Sequence, residues 1–460
     1  MIDSTHEQYD KWLPIWTKCR DAIAGEESVH EKGAKYLPKL SGQDDTQYNS
    51  YKMRALYFNA SGRTKDGMTG LIFRKPPVLT FPASLQNIID DVDMAGTDMV
   101  SFAEQLVDEL VEVSRVGILI DYPQVQSIGL TVGQAQALGL RPYATIYKAE
   151  SILDWRYQRI NNVQMLTMVK LLEVEEVHSD EFTYDKQMRI RVLDLFEGAY
   201  RVRVYAKTDK DDYAIISESI PLMNNAPIRE IPFIFDSVNG LDSDVSKPVL
   251  LDLVNVNLSH YRSTADYEHG LHFTGLPTAV FWGAQLEEGE TINIGSESAL
   301  SFNNPAGHAE YLEFTGQGLE ALRLALNDKR DMMGALGSKM LSADKKAAEA
   351  AETAAIHRSA ENSVLASLSH SASSALTKML EWLAMWGRVT TEVSCVLNDD
   401  FLPAGLTPQM FQQLTNAYLA GSISYETYFY NLQQGEVIAS DVQLDDERER
   451  IENREPTLSE

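Results

Sequence analysis

SADKKAAEAAETAAIHRSAENSVLASLSHSASSALTKMLEWLAMW, residues 342–386, decides how the chain is organised. It contains neither Gly nor Pro. At about 1.5 Å per residue, one continuous helix over this stretch would be on the order of 65 Å long. The first part is rich in alanine, at 347, 348, 350, 351, 354 and 355. Alanine has the highest helix propensity, so this half needs little packing support. The second part carries an apolar stripe of Leu365, Leu368, Ala372, Leu376, Met379, Leu383 and Trp386. Steps of three and four place them on one helix face. Ser342 is the expected N-cap and Gly387 the expected stop, with Ser359 and Ser369 as places for a kink. A helix well beyond the usual length of about 8–20 residues suits a spine that neighbouring subunits pack against, as well as a buried core.

At 460 residues the chain is long enough for two or three domains, and at 44% hydrophobic residues it can bury a full core. Its two cysteines, Cys19 and Cys395, provide neither a disulfide framework nor a zinc spacing. The N-terminal MIDSTHEQYDKW is polar and acidic rather than signal-like, and no apolar run reaches the length of a membrane span. The net charge of −27 argues against a protein that grips nucleic acid by neutralising its phosphates. Such a surface suits one that must not adhere to DNA.

Outside the spine the pattern is mixed. Trp12, Leu13, Ile15 and Trp16 begin an amphipathic segment, and 48–59 and 84–114 read as helical. Residues 116–123 form a short apolar strand. From Pro142 to Phe235 the pattern turns to β, with strands expected over 144–155, 165–175, 188–196, 200–206 and 213–220. A helix follows over 250–273, then short strands over 278–282 and 298–302, a helix from Gln317 to about Ala335, and C-terminal helices over 409–420 and 425–434. The tail 444–455 reads as a charge-laced helix. The fold class is α+β.

Motifs of catalysis are wanting. Gly62-x-x-x-x-Gly67-Met68-Thr69 has Met68 where a phosphate-binding loop needs lysine, so it reads as the start of a helix ended by Pro76 and Pro77. Asp91 and Asp93 echo a calcium loop, but Ala95 and Phe102 replace required oxygen ligands. Asp121 reads as a strand-end cap. His269 and His272 lack further metal ligands. Arg189, Arg191, Arg201 and Arg203 alternate along their strands and share faces, as either a nucleic-acid stripe or a solvated sheet surface. No catalytic residue, metal ligand or cofactor site is expected.

Seven segments, in order, resemble the portal proteins of tailed bacteriophages, in particular a portal-like family of phage and prophage proteins. They are YKMRALYFNASGRTKDGMTGLIFRKPP (51–77), EVSRVGILIDYP (112–123), YKAESILDWR (147–156), IPFIFDSVNG (231–240), KPVLLDLVNVNLSHYRSTADYEHGLHFTGLPT (247–278), the spine at 342–386 and YETYFYNLQQGEVI (425–438). Together they span nearly the whole chain.

The resemblance implies a portal-like fold with wing, stem, clip and a helical spine and crown. It apportions the chain as an N-terminal α/β wing at 1–160, a β-rich wing or clip region at 161–245 and a stem helix at 246–275. A tunnel-proximal segment at 276–316, long spine and crown helices at 317–395 and a helical crown with acidic tail at 396–460 complete it. It further implies a homo-oligomeric ring of about twelve subunits at one capsid vertex of the virion, with double-stranded DNA passing through its channel. The implied partners are the terminase packaging motor, the major capsid or scaffold protein and the head–tail adaptor, with no membrane. A largely negative lumen would keep DNA off the wall, and Arg330, Lys339, Lys345 and Lys346 are the candidates for transient basic contacts. Two alternatives stay open: another head–tail assembly protein without a DNA channel, and an enzyme with a dispersed site around Asp121 or Asp154.

Overall fold

The computed structural model describes the chain except for residues 1, 124–138, 179, 209–211, 225, 275–277, 283–306, 313–316, 342–350, 400, 402–407, 436, 439–441 and 453–460. It divides into two compact units, Met1–Asp399 and Asp400–Glu460. The first unit opens with helices α1 (Glu7–Ala24), α2 (Glu26–Glu31), α3 (Asp45–Arg54) and α4 (Ala60–Ile72). Strand β1 (Val78–Thr80), α5 (Gln86–Ile89), α6 (Met99–Val113), β2 (Arg115–Asp121) and β3 (Tyr143–Lys148) follow. A meander comes next: β4 (Ile152–Ile160), β5 (Val163–His178), β6 (Tyr184–Phe196), β7 (Ala199–Lys207) and β8 (Tyr213–Ser219). The short pair β9 (Leu222–Met223) and β10 (Ala226–Pro227) leads to β11 (Phe233–Ser237). Then come α7 (Leu251–Thr274), β12 (Thr278–Trp282), β13 (His308–Leu312), α8 (Gln317–Leu341), α9 (Ala351–Trp386) and β14 (Ser394–Val396). The fold is α+β, as the sequence pattern requires.

The spine helix runs unbroken for 36 residues through Ser359 and Ser369; its expected cap at Ser342 lies outside the described residues. Leu365, Leu368, Ala372, Leu376, Met379 and Leu383 of the expected stripe are buried. Helix α9 packs on the β11–β2–β3 sheet and α6, and β2 and β11 are buried at every position, with apolar runs and polar ends. The serines of α9 have a task that their helix-weakening reputation hides. Ser369 Oγ donates to the Asn398 carbonyl at 2.8 Å, Leu397 N–H donates to Ser373 Oγ at 2.9 Å, and Cys395 N–H donates to Thr377 Oγ1 at 3.1 Å. Hydroxyls four residues apart share a face, so one row of them fastens segment 395–398 along the helix. Beyond Gly387 it is Arg388, at φ 55°, that takes the left-handed capping position, with Val389 N–H donating back to the Ala384 carbonyl at 2.9 Å.

The strand expected over 144–155 is two strands in two sheets. A short turn at 149–151 separates them, and β3 joins β2 while β4 begins the five-stranded sheet. Helix α1 holds the break: Tyr9 Oη donates to the Glu150 carbonyl at 3.0 Å, and Arg20 Nε pairs with Glu150 at 2.5 Å. Arg20 also holds Glu109 at 2.5 Å and Glu112 at 2.6 Å on α6. One guanidinium thus ties α1, α6 and the turn together. Burial alone would lower its pKa, but the Glu150 hydrogen bond and the carboxylates of Glu109 and Glu150 raise it.

The glycine-rich stretch lies within α4, in agreement with its reading as helix. Asn59 caps it by accepting from Gly62 N–H at 2.8 Å. The acidic loop before α6 is likewise self-contained. Asp93 accepts from Ala95 N–H at 2.8 Å, Asp91 from Gly96 N–H at 2.8 Å, and Asp98 caps α6.

The second unit holds α10 (Pro408–Leu419), α11 (Tyr425–Gln434) and α12 (Leu444–Glu452). Tyr418 stacks on Tyr428 with ring centroids 4.8 Å apart, and Arg448 of α12 pairs with Glu426 of α11.

Candidate functional site

The feature of the first unit that reaches past its own core is a helix–hairpin–helix formed by α7, β12–β13 and α8. Three contacts fix the two helices as antiparallel. A β-carbon at Gly270 would stand 2.7 Å from Leu319 Cδ2, and one at Gly337 would stand 3.6 Å from Leu253 Cδ2. Midway, Lys329 Nζ donates to the Ser259 carbonyl at 3.2 Å and to Ser263 Oγ at 2.5 Å. Gly270 lets α7 and α8 approach closely, whereas Gly337 makes room for α4, whose Thr64 Oγ1 would be only 2.7 Å from an added β-carbon.

Burial divides this element. On α7 the buried residues run from Leu253 to Ala265 and stop there. On α8, Leu326 and Met333 are buried, whereas Leu324 is 52% exposed. The far end of α7 leaves Leu271 and Phe273 in solvent, Phe273 at 64%. Strands β12 and β13 pair antiparallel, Thr278 opposite Leu312 and Trp282 opposite His308. The Trp282 indole stacks on His308 at 6.0 Å and donates to Glu310 at 3.2 Å, yet remains 53% exposed. Among the described residues, the outer half of this element therefore leaves several large apolar side chains substantially exposed, Phe273 with only His269 and His272 as ring neighbours, as an assembly surface does.

One flank of α7 is covered by α3. Tyr51 Oη donates to Asp266 at 2.6 Å, and Arg54 Nη2 lies 3.1 Å from His272 Nε2. His269 packs edge-on against Tyr51. The two histidines thus serve aromatic and guanidinium contacts. Among the described residues no group of three or more His, Cys, Asp or Glu could hold a metal ion.

The four candidate basic residues are only partly brought together. Arg330 is exposed on α8, one residue beyond the inward-turned Lys329. Lys339 lies in the last turns of the same helix. Lys345 and Lys346 lie outside the described residues. The sheet arginines form no free basic stripe. Arg189 pairs with Glu175, Arg191 with Glu173 and Asp121, and both Arg201 and Arg203 with Asp194. Cross-strand pairing with acids consumes each of them.

Asp121 and Asp154 are structural. Asp121 accepts from Tyr122 N–H at 2.8 Å and from Arg191 Nη1 at 3.1 Å; burial pushes its pKa up and Arg191 opposes this. Asp154, fully buried, pairs with Lys170 at 3.2 Å, and Lys170 in turn donates to Ser4 Oγ at 2.9 Å and the Ser4 carbonyl at 3.0 Å. The pair pins the N-terminal segment to the sheet. Beyond two Pro-free helical segments and the glycines at 270 and 337, no local pattern signals the α7–α8 pairing.

Residues 249–387 match a domain of unknown function, DUF4055. The matched segment is α7, the β-hairpin, α8 and α9, less than half of the chain. Among solved structures, the chain is similar to one from the virion of a native gene transfer agent (GTA) particle. The two are 11% identical, over 86% of this chain and 96% of that one, with a TM-score of 0.41. It is similar also to a chain from the neck of the native GTA particle computed with C12 symmetry. There the identity is 9%, over 83% of this chain and 91% of that one, with a TM-score of 0.41. A third, from the neck of the empty GTA particle computed with C6 symmetry, is 11% identical over 85% of this chain and 94% of that one, with a TM-score of 0.38. No curated protein matches the chain. No helix among the described residues is long and apolar enough to cross a membrane.

Proposed function

We propose that this chain is a portal-type structural subunit of a phage-like particle. It forms a ring at one capsid vertex through which double-stranded DNA is packaged and ejected. The observation that carries the reading is the α7–hairpin–α8 element, rooted in the core at Leu253 and Gly337 and exposing Leu271, Phe273, Trp282 and Leu324 beyond it. In this reading α7 and α8 are the two stem helices. The clip is then the β12–β13 hairpin between them, in place of the 161–245 region to which the resemblance first assigned it. Helix α9 is the spine, and 396–460 the crown. The packaging motor, the capsid or scaffold protein and the head–tail adaptor dock on the assembled ring.

The acidic balance of −27 supports a channel that lets DNA slide. Arg330 and Lys339 on α8, with Lys345 and Lys346 after it, supply the transient basic contacts. Negative-stain imaging with mass photometry of the purified chain tests the ring. A closed ring of about 600 kDa, as about twelve copies of a 51.5 kDa subunit would give, supports it. A compact dimer or tetramer at every concentration and with scaffold protein added overturns it. Within a ring, charge reversal at the four basic positions lowers packaging and genome retention; unchanged values would remove them from the DNA path.

A further inference from the structure

The five-stranded sheet has two open edges, and they complement each other. Its order is β4-β5-β6-β7-β8, antiparallel throughout, and among the described residues neither β4 nor β8 is bonded to a further strand. The inner half of β4, from Ile152 to Trp155, is buried, but its outer half, from Arg156 to Ile160, is exposed throughout. Strand β8 is exposed from Ala214 to Glu218. An open edge is a row of unpaired backbone donors and acceptors, which proteins usually guard with proline, lysine, a bulge or a covering element. Strand β8, YAIISES, has no proline or lysine; its one irregularity is a register shift against β7 at Ile216, and it leaves Ile215 49% and Ile216 54% exposed. The outer half of β4 leaves Tyr157 36% and Ile160 37% exposed.

Charge separates the possible pairings. The only charged residue within β8 is Glu218, and Asp212 precedes the strand; the outer half of β4 carries Arg156 and Arg159 and no acid. Arg156 and Glu218 have internal partners, Asp154 at 3.5 Å and Arg201 at 3.2 Å, but both stay largely open to solvent, at 63% and 48%. A β8–β8 contact would bring together two edges that are each acidic, whereas β8 against β4 brings an acidic edge to a basic one. The parity of the sheet agrees. With five antiparallel strands the two edges run in the same direction, so copies related by rotation about a ring axis, which meet head to tail, would join them as a parallel pair.

We propose that β8 of one copy pairs with the outer half of β4 of the next copy, making one continuous sheet from subunit to subunit. The proposal rests on the ring reading above and adds the contact that sets its direction. Cysteine scanning tests it, because Cys19 and Cys395 are buried and their thiols are pushed up to about 12 by burial, out of reach of oxidative coupling. Cysteines are placed singly at 214, 215, 216 and 217 and at 157, 158 and 159, and in every β8–β4 combination. Assembled protein is oxidised with diamide and run on a non-reducing gel.

The expected result is a ladder of crosslinked multimers for at least one double variant in register, with the two parent singles remaining monomeric on the gel. A ladder or dimer from a β8 single variant would overturn the proposal in favour of a β8–β8 contact. Absence of crosslinks from every combination, with rings still visible by imaging, would overturn it while leaving the ring intact. Absence of both rings and crosslinks would overturn the two together.

Discussion

The ring of Phe233 occupies the space that a side chain at Gly117 would need. A β-carbon built on Gly117 would lie 2.3 Å from Phe233 Cζ and 2.9 Å from Ile152 Cδ1. Gly117 is on β2, in the centre of the β11–β2–β3 sheet, and the phenyl group of β11 lies across its backbone. Gly117→Ala is expected to destabilise the first unit by about 1–3 kcal/mol or more, because neither neighbour is free to retreat in a packed interior. Chemical denaturation of the purified variant measures this. An unchanged midpoint would mean that Phe233 has room to turn aside.

Ser371 on α9 offers one hydroxyl to two acceptors, Asp236 Oδ1 and the Ser237 carbonyl, the latter at 2.6 Å. Asp236 is fully buried and its Oδ2 has no partner. Burial pushes its pKa up to about 7 against the Ser371 and Ser237 hydrogen bonds. A neutral carboxyl resolves the geometry: it donates to Ser371 Oγ, which donates on to the Ser237 carbonyl. An unfolded aspartate ionises near 4. The folded state therefore binds the extra proton between about pH 4 and pH 7, and stability falls as pH rises through that window. The upper bound is about 4 kcal/mol at about 1.4 kcal/mol per pH unit. Asp236→Asn is expected to flatten this slope and to gain most, relative to the parent, at pH 7–8. Melting temperatures from pH 4.5 to pH 8 read it; parallel curves for the two proteins would refute it.

Arg20 bridges Glu109, Glu112 and Glu150, with Lys148 at 3.1 Å from Glu109 and Lys65 acting on Glu112 at longer range. Arg20→Met leaves partly buried carboxylates without their partner and is expected to cost about 3 kcal/mol. Arg20→Lys recovers only part of that, since one ammonium cannot reproduce the guanidinium fork. Burial pushes the Glu112 pKa up and Arg20 opposes this, so the loss is largest near neutral pH and shrinks in acid as Glu112 takes up a proton. Urea denaturation of both variants at neutral and at acid pH checks the order.

Phe273→Glu and Leu324→Glu place charges at the exposed end of the α7–α8 pair. Both residues are mostly open to solvent in the single copy, at 64% and 52%. Each substitution is expected to change monomer stability by less than about 0.5 kcal/mol. Each should reduce the assembled fraction at fixed concentration by tenfold or more, as read by mass photometry. Full assembly of both variants would exclude this end of the hairpin from the subunit contact.

What the sequence made legible was local. The stripe from Leu365 to Leu383 repeats at the helical period, so both the helix and its buried face could be read, and the same holds for 251–274 and the strands of the meander. What it hid depends on partners far along the chain. The break at 149–151 is made by Tyr9 and Arg20 of α1, and no feature of YKAESILDW itself announces it. Arginines spaced as a basic stripe turn out to be matched by Glu173, Glu175 and Asp194 on the same sheet. The strand expected over 298–302 lies outside the described residues, and the partner of β12 is β13 at His308–Leu312. The candidate assembly surface follows from the pairing of α7 with α8, which hydrophobic periodicity within either helix does not encode. The serines of α9 are the plainest case: read locally they weaken a helix, whereas across space they hold Asn398, Leu397 and Cys395.

The fastening of segment 395–398 to α9 has a consequence for the order of events on the ribosome. Among the described residues strand β1 pairs only with β14, Val78 opposite Val396, and the sheet containing β2, against which α6 already packs, gains its α9 contacts only when that helix arrives. Synthesis proceeds at about 5–20 residues per second, so the apolar strand at 115–121 waits roughly tens of seconds before its cover has been made. During that interval the face of the sheet that α9 will cover stays open to solvent. The N-terminal helices and α6 have each other to pack on early, but the second face of the sheet is completed by nearly the last element of the first unit.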